Sequence, residues 1–100
     1  MQDSDWTIDI TAADRDGAST TVKAVVEDMK FTVRVDDAVA DTLAPGVALT
    51  ELVSESFRFL LERESVGAIL QRFELPVIGQ YFPEYSQEIR RRLSPSSPSR

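Results

Sequence analysis

Apolar and polar side chains alternate in three stretches of the first half of the chain, residues 6–10, 20–26 and 29–35. A period of two, carried by β-branched residues, is typical of a strand with one buried face. The last stretch, with Phe31, Val33 and its neighbours on one side, alternates most regularly. The pattern predicts a three-stranded antiparallel meander, and it leaves open whether the first strand pairs with the second or the third.

Turn residues separate these stretches. Residues 12–19 include Asp14, Asp16 and Gly17, which favour a turn. The second connection, Glu27-Asp28, has neither Gly nor Asn, which tight two-residue hairpins prefer. We therefore expect a loop there that is looser than two residues.

Helical patterns follow the third strand. Asp36 or Asp37 is expected to cap a short helix by accepting hydrogen bonds from its first amides, and Pro45 is expected to end that helix. Thr50 is the candidate cap of a longer helix over residues 50–64. Apolar side chains cover about half of that helix, which predicts a central helix between the sheet and other helices.

Short helices are predicted for the rest of the chain. Ser65 is a candidate cap for a helical segment that carries Phe73, and Pro76 and Pro83 each suit the first position of a further helix. The last helix has an apolar edge formed by residues four apart, Tyr85, Ile89 and Leu93.

The predicted fold class is α+β. A small three-stranded antiparallel meander at the N-terminus packs on a helical C-terminal half of one long and several short helices. The chain has 100 residues, 42% of them hydrophobic, which suits one compact domain over residues 1–93. Residues 94–100 are rich in Ser and Pro and predict a disordered tail.

Charge and hydropathy bear on location and partners. The net charge is −6, and residues 1–50 carry all of it, with ten Asp or Glu against four Lys or Arg. This balance disfavours non-specific nucleic-acid binding, and it suits either solubility or docking on a basic partner. No apolar run approaches the ~20 residues of a membrane span, and residues 1–5 lack signal-peptide character. We expect a cytoplasmic protein without membrane contact.

Candidate chemistry is sparse. The chain has no His and no Cys, which excludes an imidazole base, a thiolate nucleophile and disulfides. The acidic pair Asp36-Asp37 is interpreted as helix caps, and Asp14-x-Asp16-Gly17 lacks the later ligands of a calcium loop. We therefore predict no enzyme activity, and no catalytic, cofactor-binding or metal-binding residues.

A strand, a short helix and a long helix succeed one another in residues 29–64, MKFTVRVDDAVADTLAPGVALTELVSESFRFLLERE. This segment resembles the ribbon-helix-helix family of DNA-binding regulators and antitoxins, in which two chains pair their strands into a ribbon that reads the major groove. The resemblance implies a homodimer in which Lys30, Thr32 and Arg34 face the bases.

A second resemblance involves residues 59–85, FLLERESVGAILQRFELPVIGQYFPEY. These phrases resemble a group of small uncharacterised bacterial proteins that begin with β-strands and end with helices. The resemblance implies an α+β fold and a bacterial source, and it implies no activity.

Two clusters are candidate partner-binding residues. Tyr81, Phe82 and Tyr85 lie between prolines; we favour the lid of a small core, with a protein interface as the other interpretation. A basic patch follows at the end of the last helix, where pairing with Glu84 or Glu88 is expected for some of its members. This patch consists of Arg90, Arg91 and Arg92.

The sequence favours a non-catalytic interaction module, an adaptor or regulator that acts by binding another protein. The alternative is a dimeric DNA-binding regulator or antitoxin of the ribbon-helix-helix type. A carboxylate-dependent enzyme is the third hypothesis, and it would require a deep pocket lined by two or more acids.

Overall fold

A computed structural model describes residues 6–93 and shows a four-stranded sheet with helices packed on its apolar face. The sheet order is β1-β2-β3-β4. The strands are β1 (Ile8–Asp16), β2 (Ser19–Val26), β3 (Met29–Asp36) and β4 (Arg72–Glu74). The helices are α1 (Asp37–Leu43), α2 (Leu49–Leu61), α3 (Val77–Tyr81) and α4 (Tyr85–Leu93). The α+β prediction is confirmed; the predicted tail, residues 94–100, lies outside the described residues.

The first three strands form the predicted meander. β1 pairs with β2, and β2 with β3, both antiparallel, which settles the strand order that the sequence left open. Ala24 lies opposite Phe31, and Val22 lies opposite Val33. These side chains and Val35 are almost fully buried, so the alternation of β3 does mark the face that points into the core.

The turn between β2 and β3 is tighter than predicted. Only Glu27 and Asp28 lie between the strands, and both have positive φ, 50° and 72°. Such angles are uncommon for residues other than glycine. The backbone of Thr7 braces the turn: the Glu27 N–H donates to the Thr7 carbonyl at 3.0 Å, and the Thr7 N–H donates to the Glu27 carboxylate. This long-range brace explains why the local sequence does not indicate the turn.

The first strand is longer than its alternation suggests. β1 continues to Asp16, so that only Gly17 and Ala18 remain for the turn that was predicted over residues 12–19. A bulge between Ile10 and Ala12 shifts the register against β2. Because one extra residue in a bulge interrupts the period of two, the second half of β1 reads as irregular in the sequence.

The acids at the start of α1 do not cap it. Asp36 is the residue before the helix, but no side chain bonds to the first amides. The Asp36 carboxylate accepts a hydrogen bond from the Ser19 hydroxyl, and Asp37 forms an ion pair with Arg15. The predicted capping role is therefore wrong: both carboxylates tie α1 to the β1–β2 hairpin instead.

The central helix α2 packs between the sheet and α4. It ends at Leu61 rather than at Glu64, and it begins after Ala48 without a side-chain cap from Thr50. Phe57 lies at its centre, with ring centroids 5.2 Å from Phe31 and 6.1 Å from Phe73. This aromatic chain joins the meander, the helical layer and the last strand. The predicted central position of the helix is correct.

The fourth strand was not predicted. Residues 65–73 were expected to be helical, but only Val66–Ala68 form one turn of 3-10 helix, and Arg72–Glu74 form β4. β4 pairs with β3 in parallel, with Val33 opposite Phe73. Three residues are too few to show the alternation of apolar and polar positions that identifies a strand in a sequence. This segment is a strand because it pairs with the free edge of β3.

We predict that Phe57→Ala lowers the free energy of unfolding by about 3–5 kcal/mol, because it removes the ring that links Phe31 to Phe73. Urea denaturation followed by circular dichroism measures this loss. Arg58→Ala changes the exposed next residue of the same helix and is the matched control, with an expected change within about 0.5 kcal/mol. A loss below about 1 kcal/mol for Phe57→Ala would contradict this packing.

Candidate functional site

The three clustered aromatic residues are separated by the fold. Tyr85 is only 1% exposed, Phe82 is half-buried and Tyr81 is 66% exposed. Phe82 and Tyr85 both pack edge-on against Phe59, with ring centroids 5.9 and 5.2 Å away. The core interpretation therefore applies to Tyr85 and in part to Phe82, whereas Tyr81 lies at the surface.

Tyr85 makes a buried polar contact. Its hydroxyl lies 2.6 Å from the hydroxyl of Ser56, which also donates to the Leu52 carbonyl at 2.8 Å. Burial raises the pKa of the Tyr85 phenol, although the hydrogen bond with Ser56 opposes that shift. The pair joins α4 to α2 and buries the Tyr85 phenol away from any partner.

The three arginines of α4 also differ from one another. Arg92 reaches three carboxylates, Glu62 at 2.6 Å, Glu88 at 2.8 Å and Glu55 at 3.1 Å. Arg91 pairs with Glu88, as expected. The Arg90 Nε donates to the carbonyl of Thr42 at 3.3 Å. This group mainly fastens α4 to α1 and α2.

Hydrogen bonds from Arg92 and Arg91 hold the pKa of the Glu88 carboxyl below its usual value. Burial disfavours the charged form of Arg92, but its bonds to Glu62 and Glu88 outweigh burial and raise its pKa. Both groups are therefore ionised at neutral pH, and the charge of Arg92 is neutralised within the chain.

An apolar groove lies where the end of α2 meets β4 and α3. It has a volume of about 220 Å³. The aromatic ring of Phe73 and the side chains of Leu60, Ile78 and Phe82 contribute to its wall. β4 positions Phe73 on the inner face of the sheet, and α3 supplies the opposite side, so the groove depends on the strand that the sequence did not predict.

Two exposed apolar side chains line the same groove. Among the described residues, Leu70 and Tyr81 are the large apolar side chains that are exposed, by 50% and 66%. Tyr81 was a candidate from its sequence neighbourhood, whereas Leu70 was assigned to a predicted helix. Only the position of β4 brings residues 70 and 81 together.

The groove has little chemistry of its own. Among the described residues of its lining, Glu64 is the one carboxylate, and Tyr81 supplies the one hydroxyl. Over residues 6–93, no group of three or more acidic side chains could hold a metal ion. This lining offers apolar contact to a ligand, with a single acid at the rim.

The opposite face of the sheet carries basic residues that have no ion-pair partner within residues 6–93. Lys23, Lys30, Arg34 and Arg72 share this outer face through the register of β2, β3 and β4. The ion pairs that the structure describes use other cations, namely Arg15, Arg58, Arg63, Arg91 and Arg92. A depression of about 330 Å³ lies between Arg34 and Arg72, with Glu74 at its side.

The edges of β3 bear on the ribbon-helix-helix resemblance. Lys30, Thr32 and Arg34 do lie on the outer face, as predicted for base-reading residues. However, β3 has β2 on one edge and β4 on the other. The two-chain ribbon needs a free edge along this strand, and β4 occupies the second edge at Thr32, Val33 and Arg34.

Comparison of the chain with protein-family models, with curated proteins and with solved structures found no match. No helix within residues 6–93 is both long enough and apolar enough to cross a membrane. The geometry of the groove and of the outer face is therefore the basis for a functional proposal.

We predict that Tyr85 stays protonated until the chain unfolds. In Tyr81→Phe it is the only tyrosine, so near-ultraviolet absorbance reports its phenolate alone. Because its folded pKa is raised, the folded state binds more protons above about pH 10, the ordinary value for tyrosine, and stability falls as pH rises through that region. Phenolate that forms before the loss of circular dichroism would contradict the buried Tyr85–Ser56 contact.

Proposed function

We propose that this chain is a non-catalytic interaction module, an adaptor or regulator that acts in the cytoplasm by binding another protein. Its binding surface is the apolar groove between α2 and the β4–α3 segment. The observation that carries the proposal is the placement of Leu70 and Tyr81, two exposed apolar side chains that line one groove.

Exposed apolar side chains gathered around a groove support protein binding. Large apolar groups scattered singly on a surface are ordinary, but their concentration at a concave site is typical of an interface. Tyrosine is also enriched among the residues that dominate binding energy. Phe73 and Phe82 add a partly buried aromatic base to the groove, which gives a partner side chain a surface to pack on.

The size and lining of the groove favour a protein partner over a substrate. Its volume of about 220 Å³ lies below the roughly 300–1,000 Å³ usual for small-molecule sites. Carboxylate-dependent hydrolysis generally uses two positioned acids, and nucleophilic catalysis uses an activated nucleophile, whereas Glu64 is the single carboxylate among the described residues of the lining. The lining thus suits one or two apolar side chains of a partner.

The DNA-binding alternative draws its support from the cations of the outer face, which have no ion-pair partner in the described part of the chain. Its dimeric ribbon conflicts with the pairing of both edges of β3. A duplex would have to bind by another geometry, against a net charge of −6. The proposed protein-binding function therefore rests on the groove, and the DNA-binding alternative rests on the outer face.

The test compares two double variants. Leu70→Ser with Tyr81→Ser removes the exposed apolar pair, and Gln71→Ser with Gln80→Ser changes two exposed neighbours that lie outside the groove lining. Tagged chains are used to recover stoichiometric partners from the native host, and the affinity for the purified partner is then measured by calorimetry. We expect the first variant to weaken binding about tenfold or more and the second to leave it unchanged.

Both variants alter exposed positions, and circular dichroism and urea denaturation verify that each remains folded. Equal binding by the two variants would refute the groove as the interface. Recovery of no stoichiometric protein partner by the unaltered chain would refute the interaction module itself.

A further inference from the structure

The backbone of β4 has hydrogen-bonding groups on its outer edge. The Thr32 N–H donates to the Gln71 carbonyl at 2.7 Å, and the Leu75 N–H donates to the Arg34 carbonyl at 3.0 Å. In a parallel pair this pattern directs the N–H and C=O of Phe73 toward β3. It directs those of Arg72 and Glu74 away from β3. The sheet order ends at β4, and the described chain provides no strand beyond it.

The two binding features described above flank this edge. The apolar groove, with Phe73 in its wall, lies on the inner side of β4. The depression beside Arg34 and Arg72 lies on the outer side. Side chains of a strand alternate between the two faces of a sheet. An extended segment laid along β4 would therefore place every second side chain in the groove and the others over the basic face.

The charge of the outer face indicates which side chains of a bound segment would lie over it. Arg34 donates a hydrogen bond to the Ser19 hydroxyl at 3.4 Å, and neither Arg34 nor Arg72 has a carboxylate partner among the described residues. Lys30 extends the same basic strip. Glu74 is the one carboxylate that lines the depression among the residues that the structure describes. Unpaired arginines favour carboxylates, which their planar groups can bind through two hydrogen bonds. The inner positions require apolar side chains.

The opposite edge of the sheet lacks this arrangement. β1 is interrupted by the bulge at residues 10–12 and carries Asp9, Asp14 and Asp16. Bulges and charges are devices that protect an edge strand from pairing with other chains. β4 has a regular register over its three residues. Because β4 is only three residues long, we expect contacts in the groove to supply part of the binding energy.

We propose that the partner binds as an extended segment that adds a strand to the outer edge of β4. Its apolar side chains occupy the groove, and alternate acidic side chains face Arg34 and Arg72. Strand addition of this kind combines affinity from main-chain hydrogen bonds with specificity from alternate side chains. This inference rests on the proposed function, because it uses the same groove.

The first test uses a short capped peptide in which Asp and Leu alternate. A peptide of the same composition with Leu and Asp in separate blocks is its control. A third peptide carries N-methyl groups on the amides that would face β4. Binding is followed by the amide resonances of the complete chain. We expect the affinity of the alternating peptide to be about tenfold or more above that of either other peptide. We also expect it to shift the amide resonances of Arg72 and Glu74.

The second test changes the chain. Glu74→Pro removes an N–H that does not pair with β3, so the fold is retained, whereas peptide affinity falls about tenfold. Glu74→Ala keeps the N–H and removes a carboxylate from the basic face, so it binds the alternating peptide as tightly as the unaltered chain or more tightly. Circular dichroism and thermal melting verify that both variants fold.

Equal binding of the alternating and block peptides would overturn strand addition, as would no binding of either. Equal affinity in Glu74→Pro and Glu74→Ala would also overturn it. Self-association of the chain that Glu74→Pro abolishes would assign the edge to a second copy and overturn the proposed partner. If Leu70→Ser with Tyr81→Ser loses the host partner while the peptide fails, the proposed function stands and strand addition alone is refuted.

Discussion

The pairing of β3 on both edges is the constraint on which the rest of the structure depends. β2 occupies one edge in antiparallel register and β4 occupies the other in parallel register. Phe57 of α2 contacts the rings of both Phe31 and Phe73, so one helix packs across this three-strand arrangement. Close-packed aromatic side chains dominate the energetics of a small core. The helical layer and the sheet therefore stabilise each other through a single central strand.

The same arrangement creates the candidate interface. After α2 the chain returns to the sheet to form β4, and it then leaves the sheet as α3. The apolar groove lies between the end of α2, β4 and α3. Leu70 precedes β4 and Tyr81 ends α3, so both reach one surface although eleven positions separate them. The arginines of α4, in contrast, are used within the chain rather than for a partner. Arg92 is neutralised by Glu55, Glu62 and Glu88 and stabilises the helical layer.

The sequence predicts those parts of the fold that are determined locally. The alternation of residues 29–35 and the apolar arc of α2 identify the meander and the central helix, because burial on one face imposes a period on the residues. Other parts are determined by distant contacts. The Glu27-Asp28 turn depends on Thr7, and the carboxylates of Asp36 and Asp37 bind Ser19 and Arg15 instead of capping α1. The last strand, β4, depends on the edge of β3. Tyr81 is a candidate partner-binding residue from its sequence neighbours alone. Leu70 and Phe73 are not, because they reach the groove only through the pairing of β4 with β3.

Hydrogen exchange of the β3 and β4 amides, resolved residue by residue by nuclear magnetic resonance, tests this account most directly. Parallel pairing of β4 predicts strong protection of the Thr32 and Leu75 amides, which donate across the β3–β4 boundary, and fast exchange of the Arg72 and Glu74 amides on the outer edge. Fast exchange at Thr32 together with Leu75 would mean that β3 is itself the edge of the sheet. That result would contradict the groove and its proposed partner, and it would leave β3 open for the dimeric ribbon.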